Sequence, residues 1–378
     1  MELRKTFADQ SALHFRLRAA ATLIGIPETT LRGYTDTPEL RVMRASDLNP
    51  KAPSVRIFTP ESLFKIALWR RTNNLVKIPK GVRPTVITVD LIKGGVGKTT
   101  TAVELALHLQ LMGLRCLLVD LDIQGNATQM MGYEPDLTVD EAAQYSLTEE
   151  AIVVDTMATV IIPYIERSRS QTRSASDLDP VEVKKPFGED GPHLLPADAF
   201  LGNMEQALQA AYGGREVYLK RLLDDSAAGK VPWFDVRQYD VVIFDCAPSV
   251  SFTTSAALAA ADIVLAPIRL DSFSVKGLSK LHSELSALAS EYGIHPELAI
   301  LPTHYASQLT RMSRMQAQLQ PYHDRLLDCV ISHTEELPRS LDNYTPLSLQ
   351  RPTSQTCAEY HALAEIMKHK VVSRRTAA

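Results

Sequence analysis

The 378-residue sequence has little cysteine and no long apolar run. Its four cysteines, at positions 116, 246, 329 and 357, are scattered and form no CxxC pair. This pattern favours neither a disulfide framework nor a zinc site, and it suits a reducing cytoplasm. A membrane-spanning helix needs about 20 consecutive apolar residues, so none is predicted. The first twenty residues lack an apolar h-region, and no secretory signal is indicated.

The chain also lacks a strong net charge, because its formal charge is only −4. The charges are unevenly distributed, however. Residues 1–83 contain 15 Lys and Arg against 7 Asp and Glu, a balance of +8, which leaves 25 against 37, or −12, for the other 295 residues. A basic segment joined to an acidic body indicates that the first part meets a polyanion. A solvated basic face would give the same count, so charge alone does not decide between them.

Short apolar runs alternate with helical patterns from residue 85 onward. Near-continuous apolar strands that alternate with helices are typical of a parallel sheet covered on both faces. The sequence therefore predicts an α/β fold with a mostly parallel sheet. Helices are predicted at 100–112 and 275–293. The predicted strands are 85–89, 115–122, 239–245, 262–268 and 298–303.

Two further stretches indicate how the chain is divided. The segment KIPKGVRP, residues 77–84, is rich in Pro, Gly and basic residues and predicts a domain boundary. We therefore expect a small domain at 1–80 and a larger one at 84–378. Residues 166–192 are polar and aperiodic, which predicts a flexible surface insertion.

The stretch LIKGGVGKTTTAVELAL, residues 91–107, contains a glycine-rich loop between a predicted strand and a predicted helix. Glycines let the backbone wrap around a phosphate, and the helix adds its positive N-terminal end. Lys98 can reach the β- and γ-phosphates, and Thr99 can place its hydroxyl on Mg²⁺. The strict GxxxxGK[ST] pattern fails only at its first glycine, which is Ile92 here.

Carboxylates follow two of the predicted strands. LLVDLDIQGNAT ends a strand with Asp120 and Asp122, which period two places on one face. VVIFDCAPS ends another strand with Asp245. Parallel strands deliver their carboxyl ends to the ligand crevice, where the glycine loop also lies. A single strand-end Asp is more often a turn or cap residue, but three of them beside a phosphate loop favour a function.

These segments, KGGVGKTT above all, resemble the deviant Walker A P-loop ATPases of the ParA/MinD class over roughly residues 84–310. The resemblance implies ATP or ADP with Mg²⁺ as cofactors, and ATP hydrolysis. The early lysine, Lys93, would reach across a dimer interface to the nucleotide of the other subunit; a solvated loop lysine is the alternative. Asp122 would position or activate the attacking water.

The resemblance implies three sets of site residues. The catalytic set is Lys93, Lys98 and Asp122. The Mg²⁺ set is Thr99, Asp120 and Asp245. The nucleotide-binding set is Lys93, Gly94, Gly95, Val96, Gly97, Lys98, Thr99 and Thr100. The stretch 302–312 departs from the family, whose members often carry Asp or Asn there, so base recognition stays open.

The N-terminal stretch 18–41 reads as helix, turn, helix, with Gly25 at the turn. A short strand and a helix are predicted at 56–71. Together they resemble the winged helix-turn-helix of the MerR group, in which the second helix enters the major groove. An ordinary helical hairpin packed on the ATPase body is the alternative. The predicted DNA-binding residues here are Thr29, Thr30, Arg32, Tyr34 and, on the wing, Arg56.

A ParA-like ATPase preceded by such a domain resembles the large partition ATPases of low-copy bacterial plasmids. Its ATP form would dimerise and coat nucleoid DNA, a ParB-like centromere-binding partner would stimulate slow hydrolysis, and its apo or ADP form would repress its own operon. We therefore expect a cytoplasmic, nucleoid-associated bacterial protein. Non-specific DNA contacts are predicted at Arg311, Arg314, Arg339 and Arg351.

Two other functions fit parts of the sequence. A transcription regulator could use the nucleotide site only as a sensor, although the three carboxylates argue against it. A MinD-like positioning ATPase would need a C-terminal amphipathic membrane anchor. The last helix has a modest apolar side without Phe or Trp, so we predict core packing and no membrane contact for Tyr360, Leu363, Ala364 and Met367.

Overall fold

The computed structural model describes residues 3–169, 178–269, 272–304, 319–334 and 341–377. Its centre is a six-stranded sheet in the order β3-β2-β4-β1-β5-β6, in which each pair of neighbours is parallel. The predicted parallel sheet is therefore confirmed. The strands are β1 Thr85–Val89, β2 Cys116–Leu121, β3 His193–Leu195, β4 Val241–Cys246, β5 Ile263–Arg269 and β6 Glu297–Thr303.

The helices lie on both faces of this sheet, which explains why its strands are apolar on both sides. The helices predicted at 100–112 and 275–293 are confirmed to within three residues at each end. The helices are α1 Leu17–Ile24, α2 Glu28–Tyr34, α3 Ala45–Leu48, α4 Pro60–Thr72, α5 Lys98–Leu111, α6 Asn126–Met130, α7 Val139–Gln144, α8 Met157–Arg169, α9 Gly202–Ala210, α10 Tyr218–Ala227, α11 Phe252–Ala260, α12 Ser272–Tyr292, α13 Leu347–Gln350 and α14 Gln355–Ala377.

The N-terminal stretch forms two helices joined by a turn, as the sequence predicts. Gly25 ends α1 with φ +72°, a left-handed conformation that favours glycine, and α2 begins three residues later. The strand predicted from residue 56 is reduced to two isolated bridges, Phe15 with Phe58 and Arg44 with Arg56. The wing is therefore minimal, because only single residues pair on each side.

These first helices pack on the body of the molecule. Leu23, Leu31 and Phe64 are completely buried in the same hydrophobic core as Leu105 of α5 and Leu363 of α14. The packing matches the alternative of a helical hairpin seated on the ATPase, and it leaves the outer side of α2 exposed. The division of the chain at residues 80–84 stays a prediction.

An ion cluster joins both ends of the chain to the sheet. Asp240, which immediately precedes β4 and is almost fully buried, pairs with Arg71 of α4. Its Oδ1 also lies 2.8 Å from Nη2 of Arg375 in α14. One carboxylate therefore holds the N-terminal helices and the C-terminal helix to the amino-terminal edge of the sheet.

The insertion predicted at 166–192 is partly packed in the structure. Residues 166–169 continue α8, and residues 178–192 lie on the body. Phe187 is buried, with its ring centroid 5.6 Å from that of Phe64. Leu178, Val181 and Val183 are also partly buried against the body, and the polar sequence concealed these apolar contacts. Residues 170–177 lie outside the described residues.

Candidate active site

The glycine loop lies where the sequence predicts it, between β1 and α5 at the carboxyl edge of the sheet. Gly95 and Gly97 have φ of +69° and +87°, so the loop needs glycine at both positions. Gly97 directly precedes α5, a helix of 14 residues. The positive end of that helix therefore points into the loop, which is an arrangement that binds phosphate.

The two loop lysines have different partners. Lys98, which is only 7% exposed, donates from Nζ to the Lys93 carbonyl oxygen at 3.1 Å. Lys93 is half-buried, and its Nζ donates to Ser274 Oγ of α12 at 3.0 Å. The ammonium group of Lys98 thus lies over the loop on a neutral acceptor, where an anion can bind it. The ammonium group of Lys93 lies at the side of the loop.

The predicted carboxylates are brought together by the strand register, since Asp120 of β2 lies beside Asp245 of β4. Asp120 Oδ2 accepts hydrogen bonds from Thr128 N at 2.9 Å and Thr128 Oγ1 at 2.8 Å. Burial raises the pKa of Asp120 to about 6, although these hydrogen bonds oppose the shift. Burial, and then the charge of Asp120, raise the pKa of Asp245 well above its usual value, and Thr99 opposes this.

This pair is suited to a divalent cation. Both carboxyl groups are completely buried, and neither oxygen of Asp245 accepts a well-directed hydrogen bond. Thr99 lies close enough to lower the pKa of Asp245. Hard oxygen ligands of this kind are what Mg²⁺ prefers, and its charge would offset the repulsion between the carboxylates.

Asp122 lies at the edge of the same crevice. Its Oδ1 accepts a hydrogen bond from Gln124 N at 3.0 Å, and its carbonyl oxygen accepts one from Gly125 N at 2.8 Å. It therefore has the turn contacts that are common for a strand-end Asp. Its side chain is 7% exposed at the carboxyl edge of the sheet.

Sequence reasoning missed two residues at this edge. Asp90 follows β1 directly and is completely buried, and neither of its carboxylate oxygens has a well-directed hydrogen-bond partner. Burial raises the pKa of Asp90 to about 7, Lys98 opposes the shift, and Glu284 adds to it. The signal was present, because Asp90 is a strand-end Asp like Asp245. The second missed residue is His304, which follows β6.

Apolar side chains are exposed around the mouth of the crevice. Ile123, Phe200 and Val250 are 47%, 47% and 69% exposed. Ile123 and Val250 follow β2 and β4. Phe200 lies nearby, since Ile123 Cδ1 is within 3.5 Å of where a Cβ on Gly202 would stand. Exposed apolar groups of this kind around a site often mark an interface.

The residues of α2 that are predicted to contact DNA differ in their exposure to solvent. Thr29 and Arg32 are exposed and Thr30 is half-buried. Tyr34 packs on Trp69 of α4, with ring centroids 5.3 Å apart, so its ring is held by α4. The exposed side of α2 therefore includes Thr29 and Arg32 together with the acidic Glu28.

The predicted wing residue Arg56 belongs to a basic pocket. It forms an ion pair with Asp36, and a cavity of about 440 Å³ beside it is also lined by Arg41 and Arg44. Arg351 is exposed after α13. The other arginines predicted for non-specific DNA contact lie outside the described residues: Arg311, Arg314 and Arg339.

The apolar side of α14 is used inside the protein. Tyr360, Leu363, Ala364 and Met367 are at most 1% exposed and belong to the core beneath α5, which confirms their predicted packing. In the part of the chain that the structure describes, every helix is too short or too polar to cross a membrane.

Comparisons with known proteins agree with this geometry. A family model described as an AAA domain matches residues 84–300. The chromosome-partitioning ATPase Soj of Thermus thermophilus is 30% identical over 283 residues, which cover 74% of this chain and 93% of that protein. The chromosome partitioning protein ParA of Myxococcus xanthus is 29% identical over 288 residues, 75% of this chain and 88% of that protein.

A solved structure has the same fold. The cobyrinic acid a,c-diamide synthase of Mycobacterium smegmatis, crystallised with ADP and magnesium, is 26% identical with a TM-score of 0.53. The match covers 77% of this chain and 97% of that protein. That protein's bound ADP and magnesium match the two kinds of ligand for which the loop and the buried carboxylates are suited.

Proposed function

Because the chain belongs to the ParA/Soj family of partition ATPases, we propose that it is an ATP-driven dimer switch that segregates DNA. The family uses ATP with Mg²⁺. The observation that carries the proposal is the loop with two lysines, Lys98 over the phosphate position and Lys93 at its side, next to three strand-end carboxylates. A single lysine is enough to bind phosphate, so the second one needs its own role.

We assign the loop residues 93–100 to the nucleotide. Lys98 and the backbone N–H groups of the loop bind the phosphates, and Lys98 offsets the charge that develops on the leaving phosphate. Thr99, Asp120 and Asp245 would hold Mg²⁺, and the bound Mg²⁺ would supply charge neutralisation at the phosphates. Asp122 orients the attacking water.

We assign Lys93 to the nucleotide of a second subunit. Two nucleotides held face to face carry a large negative charge, which a lysine from each side would offset. To reach that nucleotide, Lys93 would leave its hydrogen bond to Ser274 Oγ. The exposed Ile123, Phe200 and Val250 at the crevice mouth support this arrangement, because a second copy would cover them. Dimerisation then depends on ATP, and the slow hydrolysis of ATP separates the subunits.

We further propose that the ATP dimer binds nucleoid DNA non-specifically in the bacterial cytoplasm and is stimulated by a ParB-like centromere-binding partner. The N-terminal helix-turn-helix would bind an operator of its own operon, as in large plasmid partition ATPases. The basic N-terminal segment, the exposed Arg32 and the pocket of Arg41, Arg44 and Arg56 support a polyanion partner there. Arg351 is assigned to non-specific contacts.

The first test concerns Lys93. Wild type, Lys93→Ala and the control Lys280→Ala, an exposed lysine of α12, are compared by ATP hydrolysis and by light scattering. Wild type and the control should hydrolyse ATP slowly, form a dimer with ATP and Mg²⁺, and hydrolyse faster with DNA. Lys93→Ala should lose the dimer and at least tenfold of the hydrolysis rate. Wild-type behaviour of Lys93→Ala would contradict the switch.

The second test separates the DNA roles. Arg32→Ala should weaken binding to the upstream region of the operon and leave ATP-dependent binding to random DNA unchanged, while Arg351→Ala should do the opposite. Removing a side chain that binds a phosphate should also lower the salt dependence of binding. A wild-type protein whose ATPase ignores DNA would instead favour a nucleotide-sensing regulator, and ATP-dependent sedimentation with liposomes would favour a MinD-like positioning ATPase.

A further inference from the structure

The end of β6 is tied to the phosphate loop by a buried hydrogen bond. Thr303 Oγ1 donates to the Val96 carbonyl oxygen at 2.9 Å. The next residue, His304, has φ +51°, which non-glycine residues adopt rarely and at a cost. Its Nδ1 lies 3.4 Å from Thr303 Oγ1, and its Cε1 is 3.9 Å from where a Cβ on Gly97 would stand. The strained backbone therefore places the imidazole against the loop.

Separate contacts bring a second imidazole to the same place. Ile331 N donates to a carbonyl oxygen of β6 at 2.9 Å. Ser332 N and Oγ donate to the carboxylate of Glu359 on α14 at 2.8 and 2.6 Å. These bonds hold the next residue, His333, with its ring centroid 5.8 Å from that of His304 and the planes at 56°. The pair is thus built by β6 and α14 together.

Side chains on three elements affect the charge of His304. Burial lowers the pKa of His304, and Arg269 at the end of β5, His333 and Lys93 on the loop lower it further. The imidazole is therefore neutral near pH 7 in this arrangement. A nucleoside phosphate in the loop would bring negative charge next to it and reverse the sign of the local field.

We propose that His304, which lies beside His333, contacts the bound nucleotide and takes up a proton from solvent when a nucleoside di- or triphosphate enters the loop. The inference rests on the nucleotide role proposed above and adds a proton-linked contact to it. Because the bound-state pKa is the higher one, affinity rises as pH falls through that value. The gain in affinity is complete below the lower pKa that His304 has in the free protein. Each pKa unit between the free and bound states corresponds to a tenfold gain in nucleotide affinity.

The proton can be counted by titration calorimetry with ADP and Mg²⁺ at pH 7, in buffers of different ionisation enthalpy. His304→Asn removes the titration and keeps a residue that tolerates positive φ. His295→Asn, exposed at the opposite edge of the sheet, is the control. Wild type and the control should take up a fraction of a proton that His304→Asn does not. Their affinity should fall several-fold more from pH 6 to pH 8 than that of His304→Asn. Since ADP itself titrates equally in all three, equal proton numbers would overturn the proposal.

A second measurement does not require the variant to bind nucleotide. Histidine Cε1–H resonances of the full-length protein are titrated with and without ADP and Mg²⁺, and His304→Asn identifies the resonance. A rise in the pKa of His304 of about one unit or more supports the proposal. An unchanged pKa overturns it while nucleotide binding stands. Failure of the wild type to bind ADP and Mg²⁺ at all would instead overturn the function proposed above.

Discussion

The buried carboxyl group of Asp90 should make the stability of the fold depend on pH. It lies behind the phosphate loop, completely buried, with neither carboxylate oxygen in a well-directed hydrogen bond. Burial raises its pKa from 3.8 to about 7 despite the nearby Lys98. A raised carboxyl pKa means that the folded protein binds the proton more tightly than the unfolded chain does. Ionisation of Asp90 therefore destabilises the fold, and the Asp90→Asn substitution should stabilise it.

The size of this effect follows from the pKa difference, since each unit corresponds to about 1.4 kcal/mol. The penalty on Asp90 is absent below pH 3.8, grows as pH rises to about 7, and is constant above that value. Full ionisation costs about 4 kcal/mol at pH 8, and the cost at pH 6 is about 3 kcal/mol. Asp90→Asn should therefore be more stable than wild type, and its advantage should widen by about 1 kcal/mol from pH 6 to pH 8.

The assay is urea unfolding followed by circular dichroism at pH 6, 7 and 8, without nucleotide. Asp324→Asn, whose carboxyl is fully exposed, is the matched control and should change the free energy of unfolding by less than about 0.5 kcal/mol at each pH. A free-energy difference between Asp90→Asn and wild type that is independent of pH would refute the reasoning. A less stable variant would show that the ionised carboxylate is needed where it stands.

Two further predictions concern how the ends of the chain are held. Gly25→Ala places a Cβ 2.7 Å from the His361 ring at φ +72°, so it should lower the free energy of unfolding in urea by about 1–3 kcal/mol. The control Gly33→Ala adds a Cβ that meets nothing within 4 Å, and it should be neutral or slightly stabilising. Equal effects would contradict the close contact. Asp240→Asn leaves its two arginines without their carboxylate partner in a mostly buried site and should cost about 3–5 kcal/mol. The exposed control Asp235→Asn should cost less than about 1 kcal/mol, and a similar loss for both would show that Asp240 is replaceable.

Local patterns were enough to predict the sheet and the loop. Each predicted strand is found within two residues of its expected ends, because a strand buried on both faces has a nearly continuous run of apolar residues. The glycines at 95 and 97 were identified because only a few backbone conformations wrap around phosphate. Asp120 and Asp245 could be placed together because parallel strands end at the same edge of the sheet.

The contacts that the sequence did not reveal are those between distant segments. Asp240 is joined to residues 169 positions before it and 135 positions after it, and no local pattern records such a contact. His304 stands out in the sequence only as part of a departure from a family motif, and its place against the loop is a contact between residues that are 207 positions apart. Asp90 was missed although it follows a strand, since its burial depends on elements such as α12, which carries Glu284.

The helix α5 links these features physically. Its first residue is Lys98 of the phosphate loop, and nearly every residue after its first turn is buried, as in a helix packed on all sides. Further along, the ring centroid of His108 lies 5.6 Å from that of His361 in α14, and the His361 ring lies against Gly25 at the turn between α1 and α2. α5 therefore contacts the loop through its first residue and α14 through His108, and α14 in turn contacts the turn between α1 and α2 through His361.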